Sequence, residues 1–238
     1  MLALAQQSIA QVPRLLESPS TLARSFPRNF QTQADTPPIL RPSGRRQPAS
    51  PRGPCFPGQK PLTALMPQTN LGLTVTAYPT FFFYVPQTLA KTVEFVLLDE
   101  ENYKKVYETT FIISGKPGIS SVSLPDNKTL PPLEMGKKYH WYFSVVCDPE
   151  DRAGDIYVDG WVQRVELNPV LVAELDKADP REQFALYQRL DLWQDTLTTL
   201  AERRRSHPDD QALNREWANL LRSVGLGEIA QEPILKNL

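Results

Sequence analysis

Residues 137–167 read KKYHWYFSVVCDPEDRAGDIYVDGWVQRVEL, two strand-like runs around an acidic turn. In the first run Tyr139, Trp141, Phe143, Val145 and Cys147 alternate with His140, Tyr142 and Ser144, the period of a strand with one buried face. Four bulky side chains and a thiol therefore point toward a core. In the second run Ile156 and Val158 share a face, and a change of phase at Gly160 returns Trp161, Val165 and Leu167 to it. A glycine bulge is the device expected there. The connection Asp148–Asp155 carries Pro149 and Gly154 and is otherwise mostly polar, as a solvent-exposed turn is.

Upstream of this hairpin the same period recurs in short runs broken by turn residues: LTALMP from Leu62, LGLTVTAYP from Leu71, TFFFYVP from Thr80, TVEFVLLDE from Thr92, VYETTFII from Val106 and GISSVSLP from Gly118. With the hairpin they make about eight strands at near-regular spacing and no helical segment among them. The fold class expected is mainly β, an antiparallel immunoglobulin- or fibronectin-like β-sandwich, with an open barrel as the alternative. A proline-bearing connection, PDNKTLPPLEMGKK, leads from Pro125 into the hairpin.

At Asn168 the period changes to that of a helix. Asn168-Pro169, and Asp179-Pro180 with Glu182 at the third position, are cap-plus-proline helix openings. Phe184, Tyr187 and Leu190, then Leu192, Trp193, Leu197 and Leu200, form apolar faces, the latter ending before Pro208. Asp209 is expected to open a last helix with Leu213, Trp217, Leu220 and Leu221, closed near Gly225 by a left-handed cap. The helices are similar to tetratricopeptide repeats at Tyr187, Leu200 and Pro208, but Phe184, Thr196 and Arg203 stand where that repeat needs small residues. Such a small TPR-like bundle is too short to stand alone and is expected to dock on the sandwich. The domain division is thus 1–57 a disordered Pro/Arg-rich tail, 58–167 the sandwich, and 168–238 the helical part.

The 23 prolines among 238 residues are about twice the usual share, and many precede residue 60. The net charge of -1 hides an arginine-rich front and an acidic remainder, the reverse of a nucleic-acid-binding domain. No apolar run reaches the ~18 to 20 residues of a membrane span, so a transmembrane protein is not expected. The opening Ala3-Leu4-Ala5-Gln6 has the small residues of a signal-peptidase site without its upstream regions, as if the start were placed too late. A periplasmic or exported location is expected, with the cytoplasm as the alternative. In an oxidising compartment Cys55 and Cys147 would bridge, for up to ~4 kcal/mol in the chain-entropy model; in a reducing one both stay free.

Neither cysteine has a partner at metal-ligand spacing, and no hydrolase, zinc-protease, nucleotide-binding or deaminase motif occurs. No catalytic residue, metal site or cofactor is expected. Cys147 and His140 lie seven residues apart on opposite faces of one strand, too far apart for a nucleophile and its base. The acidic loop offers Asp148, Glu150, Asp151 and Asp155 as oxygen ligands for calcium, but without EF-hand spacing and with Arg152 among them. Arg203, Arg204 and Arg205 suit a helix C-terminus.

The blocks GRRQPASPRGPC (44–55), LTALMP (62–67), PTFFFYVP (79–86), EFVLLDEENYKKVY (94–107), GISSVSLP (118–125), LEMGKKYHWYFSVVCDPEDRAGDIYVDGWVQRV (133–165) and LTTLAERRRSHPDD (197–210) together resemble the cyanobacterial domain of unknown function 928. The resemblance runs from about Gly44 onward. It carries no activity, cofactor or catalytic residue; its members look exported and lie among genes for sensor and interaction-domain proteins, which implies an adaptor role. The expected function is a noncatalytic interaction or adaptor module of the cell envelope, binding a protein partner or an envelope polymer. The alternatives are a hydrolase using loop carboxylates such as Glu150, Asp151 and Asp159, or a structural subunit of a larger envelope complex.

Overall fold

The computed structural model describes residues 44–48, 55–57, 60–235 and 238. At its centre β7 (Lys138–Val146) and β8 (Ile156–Arg164) pair antiparallel, in one unbroken register from Lys138 opposite Gln163 to Val145 opposite Ile156. The bulge expected at Gly160 is absent. Ile156, Val158, Gly160 and Val162 therefore share the buried face with Tyr139, Trp141, Phe143 and Val145, and Trp161 falls on the opposite one. The glycine serves volume rather than phase: Gly160 lies opposite Trp141, and a Cβ there would stand 2.5 Å from the indole.

Around this hairpin β2 (Leu71–Thr74), β4 (Thr92–Asp99) and β5 (Lys105–Ile112) complete a five-stranded sheet in the order β2-β8-β7-β4-β5. A second sheet has the order β1-β3-β6, from Thr63–Ala64, Thr80–Val85 and Gly118–Ser123. The wholly antiparallel arrangement expected is corrected at one edge, where β2 runs parallel to β8. The two sheets face each other through aromatic side chains: Phe83 stacks on Phe143 at 3.9 Å, and Phe81 meets Phe95 at 5.0 Å and Trp141 at 6.0 Å. Phe81, Phe82, Phe83, Tyr84 and Val85 are all buried. That is why TFFFYV reads as a continuous apolar run: its strand is covered on both faces. On the far side from the other sheet the Arg205 guanidinium sits 5.9 Å from the Phe82 ring.

Four helices follow: α1 (Pro169–Lys177), α2 (Pro180–Arg189), α3 (Trp193–Ser206) and α4 (Gln211–Ser223). Mainly β with a C-terminal α part is thus the architecture. Asn168 caps α1, and Asp179 with Glu182 forms a capping box on α2. The last helix is capped by Asp210, one residue after the expected Asp209. Gly225, just past it, has φ +80°, the left-handed turn that ends a helix. α3 joins helices to sheets. Trp193 Nε1 donates to the Leu65 carbonyl at 2.8 Å, Asp195 accepts bonds from Thr74, Val75 and Thr76, and α3 also packs against α2 and α4.

Two pieces of the stretch expected as a disordered tail, 44–48 and 55–57, pack on this body. The Arg45 and Asp159 backbones meet, with Asp159 N–H donating to the Arg45 carbonyl at 3.0 Å, and Phe56 is buried in the core. The remainder of that stretch, including Ala3-Leu4-Ala5-Gln6, lies outside the described residues. Cys55 and Cys147 are joined by a disulfide with Cα atoms 5.5 Å apart, 92 residues separated in sequence. At the other end the chain returns to β6: Ile119 N–H donates to the Pro233 carbonyl and Leu235 N–H to that of Ile119, both at 2.8 Å. No helix among the described residues is long and apolar enough to cross a membrane.

Candidate functional site

Because the register never slips at Gly160, β7 and β8 place His140, Tyr142, Tyr157, Asp159 and Trp161 together on the outer face of the five-stranded sheet. The imidazole of His140 stacks on the Trp161 indole at 4.1 Å and 11°. His140 Nε2 is 2.8 Å from Asp159 Oδ2, and the Tyr142 hydroxyl is 3.2 Å from His140 Nδ1. Pairing with the carboxylate puts the proton on Nε2 in the neutral ring and leaves Nδ1 to accept from Tyr142. Both ring nitrogens are therefore engaged.

Asp159 is held from several sides. Its Oδ1 accepts from Arg45 N–H at 3.0 Å, and its carbonyl accepts from Asn70 Nδ2 at 2.9 Å. Asn70, at φ +56°, also accepts the Trp161 N–H through its carbonyl at 3.0 Å. Gly44 lies so close over Trp161 that a Cβ would stand 2.4 Å from the ring. The indole is thus a nearly closed floor, 7% exposed. Arg45 places its guanidinium over the Tyr157 ring at 5.2 Å, a cation–π contact.

The wall opposite comes from the β4–β5 turn. Asp99 accepts from Glu101 N–H at 3.0 Å and Asn102 Nδ2 at 2.9 Å, while Lys137 Nζ approaches it at 2.8 Å. The hydrogen bond from Lys137 is the main cause that holds the Asp99 carboxyl below its ordinary value. This turn sets Tyr103 at φ +54° with 73% of its surface exposed. The result is a shallow hollow of about 320 Å³ with Glu100, Tyr103, Tyr142, Tyr157 and Arg45 around the His140–Trp161 floor. Burial pushes the Tyr142 phenol up. Ring faces, phenol hydroxyls, one guanidinium and the carboxylates of Glu100 and Asp159 suit it to grip a flat, hydroxyl-bearing ligand.

The residues singled out in the sequence are dispersed. Cys147 is tied to Cys55 and does not approach His140. In the acidic loop Asp148 accepts from Glu150 N–H, Asp151 from Ala153 N–H, and Asp155 from Cys147 N–H while pairing with Arg152, which also reaches Glu94. Among the described residues no group of three or more His, Cys, Asp and Glu is gathered to hold a metal. Asp159 lies four residues of extended strand beyond Asp155, roughly 13 Å, and neither Glu150 nor Asp151 lines its hollow. Arg203 pairs with Glu216, Arg204 sits over Trp217, and Arg205 bonds Ser121; these three arginines are internal ties of the fold. Trp217 is core, and Tyr187 lines a second hollow, beside α3.

Every described member of the site lies within a family match over residues 43–234, described as Domain of Unknown Function (DUF928). The chain belongs to that family. No curated protein matches the chain. The DUF928 description carries no activity, so function is argued from the hollow itself. Its outward aromatic set, His140 opposite Trp161 and Tyr142 diagonal to Tyr157, was present in the sequence but hidden by reading Gly160 as a bulge. Arg45 and Tyr103 left no local signal, because each reaches the hollow from a distant part of the chain.

Proposed function

We propose that this protein is a noncatalytic interaction module of the cell envelope whose ligand, a hydroxyl-rich envelope polymer, seats in the hollow over His140 and Trp161. The observation that carries this reading is the pre-set floor: His140 stacked on Trp161, with Asp159 and Tyr142 on its two nitrogens. Such a site needs little ordering on binding, which is where affinity is usually lost. In this reading the facing sheets, residues 58–167, are an immunoglobulin-like platform and 168–238 a degenerate TPR-like addition that braces it. The Cys55–Cys147 bond supports an oxidising, exported setting. The hydrolase alternative gains nothing from the loop carboxylates, which stay apart.

The test is co-sedimentation of the full chain with purified envelope glycan from the native host, alongside Tyr103→Ala and Tyr157→Ala. Retention of the parent protein and loss of about fivefold or more in affinity for each variant is expected, since aromatic stacking contacts each contribute on the order of 1 kcal/mol or more. Equal retention of all three would remove the hollow from the function. A protein captured by crosslinking from the host, with the glycan ignored, would transfer the module to a protein partner.

A further inference from the structure

A sheet edge left bare is a template for another strand, and at most of its edges this chain supplies the cover itself. β2 is only four residues long, and just past its end Asp195 of α3 accepts from Val75 N–H at 3.1 Å. Beside β1, Ala64 N–H donates to the Arg46 carbonyl at 2.8 Å. Beside β6 the C-terminal segment bonds Ile119, and Leu238 N–H reaches the Ser121 carbonyl at 2.9 Å. The remaining edge is β5, the last strand of the five-stranded sheet, and nothing among the described residues pairs with its outer side.

The groups it leaves open follow from its pairing. Ile113 N–H donates to the Lys91 carbonyl at 2.9 Å. Backbone direction alternates along an antiparallel strand, so Tyr107, Thr109 and Phe111 turn their amides and carbonyls to β4 while Glu108, Thr110 and Ile112 turn theirs outward. Ile112 is 86% exposed. Neither a proline nor an inward-facing charge interrupts the run from Tyr107 to Ile112, although these are the devices that blunt an edge.

We infer that β5 pairs antiparallel with β5 of a second copy about a twofold axis at Thr109. That register sets Thr109 opposite its counterpart, Tyr107 opposite the second copy's Phe111, Glu108 opposite its Thr110 and Val106 opposite its Ile112. Tyr107 and Phe111, which already pack against the core, make an aromatic pair on each side of the axis, and Val106 covers the exposed Ile112. Glu108 and Thr110 both face outward, so they can exchange their backbone bonds. An axis at Glu108 would oppose two like charges, and one at Thr110 would oppose Glu108 to Ile112 and part the aromatic pair. With the axis at Thr109 the two Glu108 side chains are only diagonal, and each keeps its own Lys105. This self-match singles out a second copy as the occupant. The axis stands perpendicular to the sheet, so the two His140–Trp161 hollows face the same way, and a polymer engaging both would gain by avidity. The pairing itself does not rest on that reading of the hollow.

Sedimentation velocity of the full chain from micromolar to near-millimolar concentration tests it. A monomer–dimer equilibrium is expected, and Ile112→Lys should weaken it by about tenfold or more without lowering the Tm, because the new charge meets Val106 beside the second copy's Lys105. Thr109→Cys should crosslink to its counterpart under mild oxidation, whereas Glu108→Cys, offset from its counterpart, should not. In the parent, amide exchange at Glu108, Thr110 and Ile112 should slow as concentration rises, while Thr109 and Phe111, bonded to β4, stay protected throughout. Tyr157→Ala alters the hollow and should leave the dimer unchanged, which separates failure of the pairing from failure of the hollow. A chain monomeric at every concentration, a dimer indifferent to Ile112→Lys, or crosslinking through Glu108→Cys in place of Thr109→Cys overturns the inference. Edge amides already protected in the monomer would give β5 to a segment of the same chain and overturn it as well.

Discussion

Gly160 shows how much one residue decides. It sits opposite Trp141 in the β7–β8 register, and a Cβ there would stand 2.5 Å from the indole and 2.7 Å from Asn70 Oδ1. Both neighbours are fixed: Trp141 is fully buried and Asn70 binds the Asp159 carbonyl. Gly160→Ala is therefore expected to destabilise the fold by about 1–3 kcal/mol through overpacking, read as a lower urea midpoint. It should also disturb the hollow, because Asn70 holds the backbone of Asp159 and Trp161. Gly136, at φ +76° with nothing within 4 Å of its Cβ position, is the contrast. There Gly→Ala costs only the left-handed backbone penalty of about 1–2 kcal/mol and should leave Trp161 fluorescence unchanged.

Among the elements, α3 is the one whose burial was hardest to foresee, because it buries Gln194, Asp195 and Thr196 along with Trp193, Leu197 and Leu200. Asp195 gives this helix a distinctive pH response. Its folded-state carboxyl is raised by burial, so between the ordinary carboxylate value and the raised one the folded chain binds more protons than the unfolded chain. Stability from this group is therefore present at low pH and lost as pH rises through that window. Asp99, held low by Lys137, does the opposite and loses its contribution as pH falls. In Asp195→Asn the first dependence disappears, so the stability deficit of the variant relative to the parent should shrink from acidic to neutral pH. Thermal melts of both proteins across that range check it; a deficit that widens with pH would refute the assignment. The C-terminal segment makes a second element-scale prediction. Pro233 and Leu235 pair with Ile119, and Leu235 packs over Gly118, covering the open edge of β6. Deleting residues 233–238 should strip hydrogen-exchange protection from the Ile119 amide and lower the Tm, since an uncovered strand edge is left in water.

At the scale of the whole molecule the Cys55–Cys147 bond ties the segment beside Thr88 and Leu89 to the end of β7 across 92 residues of sequence. Closing so long a loop stabilises the fold by about 4.6 kcal/mol in the chain-entropy model. Cys55→Ser with Cys147→Ser should lower the denaturation midpoint accordingly, and alkylation of the native protein should add mass only after reduction. Much of this architecture was legible in the order of residues. Strand and helix periods, the Asn168 and Asp179 caps and the closing Gly225 act within a few residues of themselves, so local chemistry sufficed to place the elements. What the sequence could not state is which distant pieces meet. The parallel seating of β2 on β8, the outward turn of Trp161, and the arrival of Arg45 and Tyr103 around His140 are each set by a register or a contact between segments tens of residues apart. Likewise the capture of Asp195 by Thr74 and Thr76 follows from how α3 docks. The sequence by itself determined the elements, because their signals are local; the tertiary structure alone decided the sites, because each is assembled from elements that have no contact until the chain has folded.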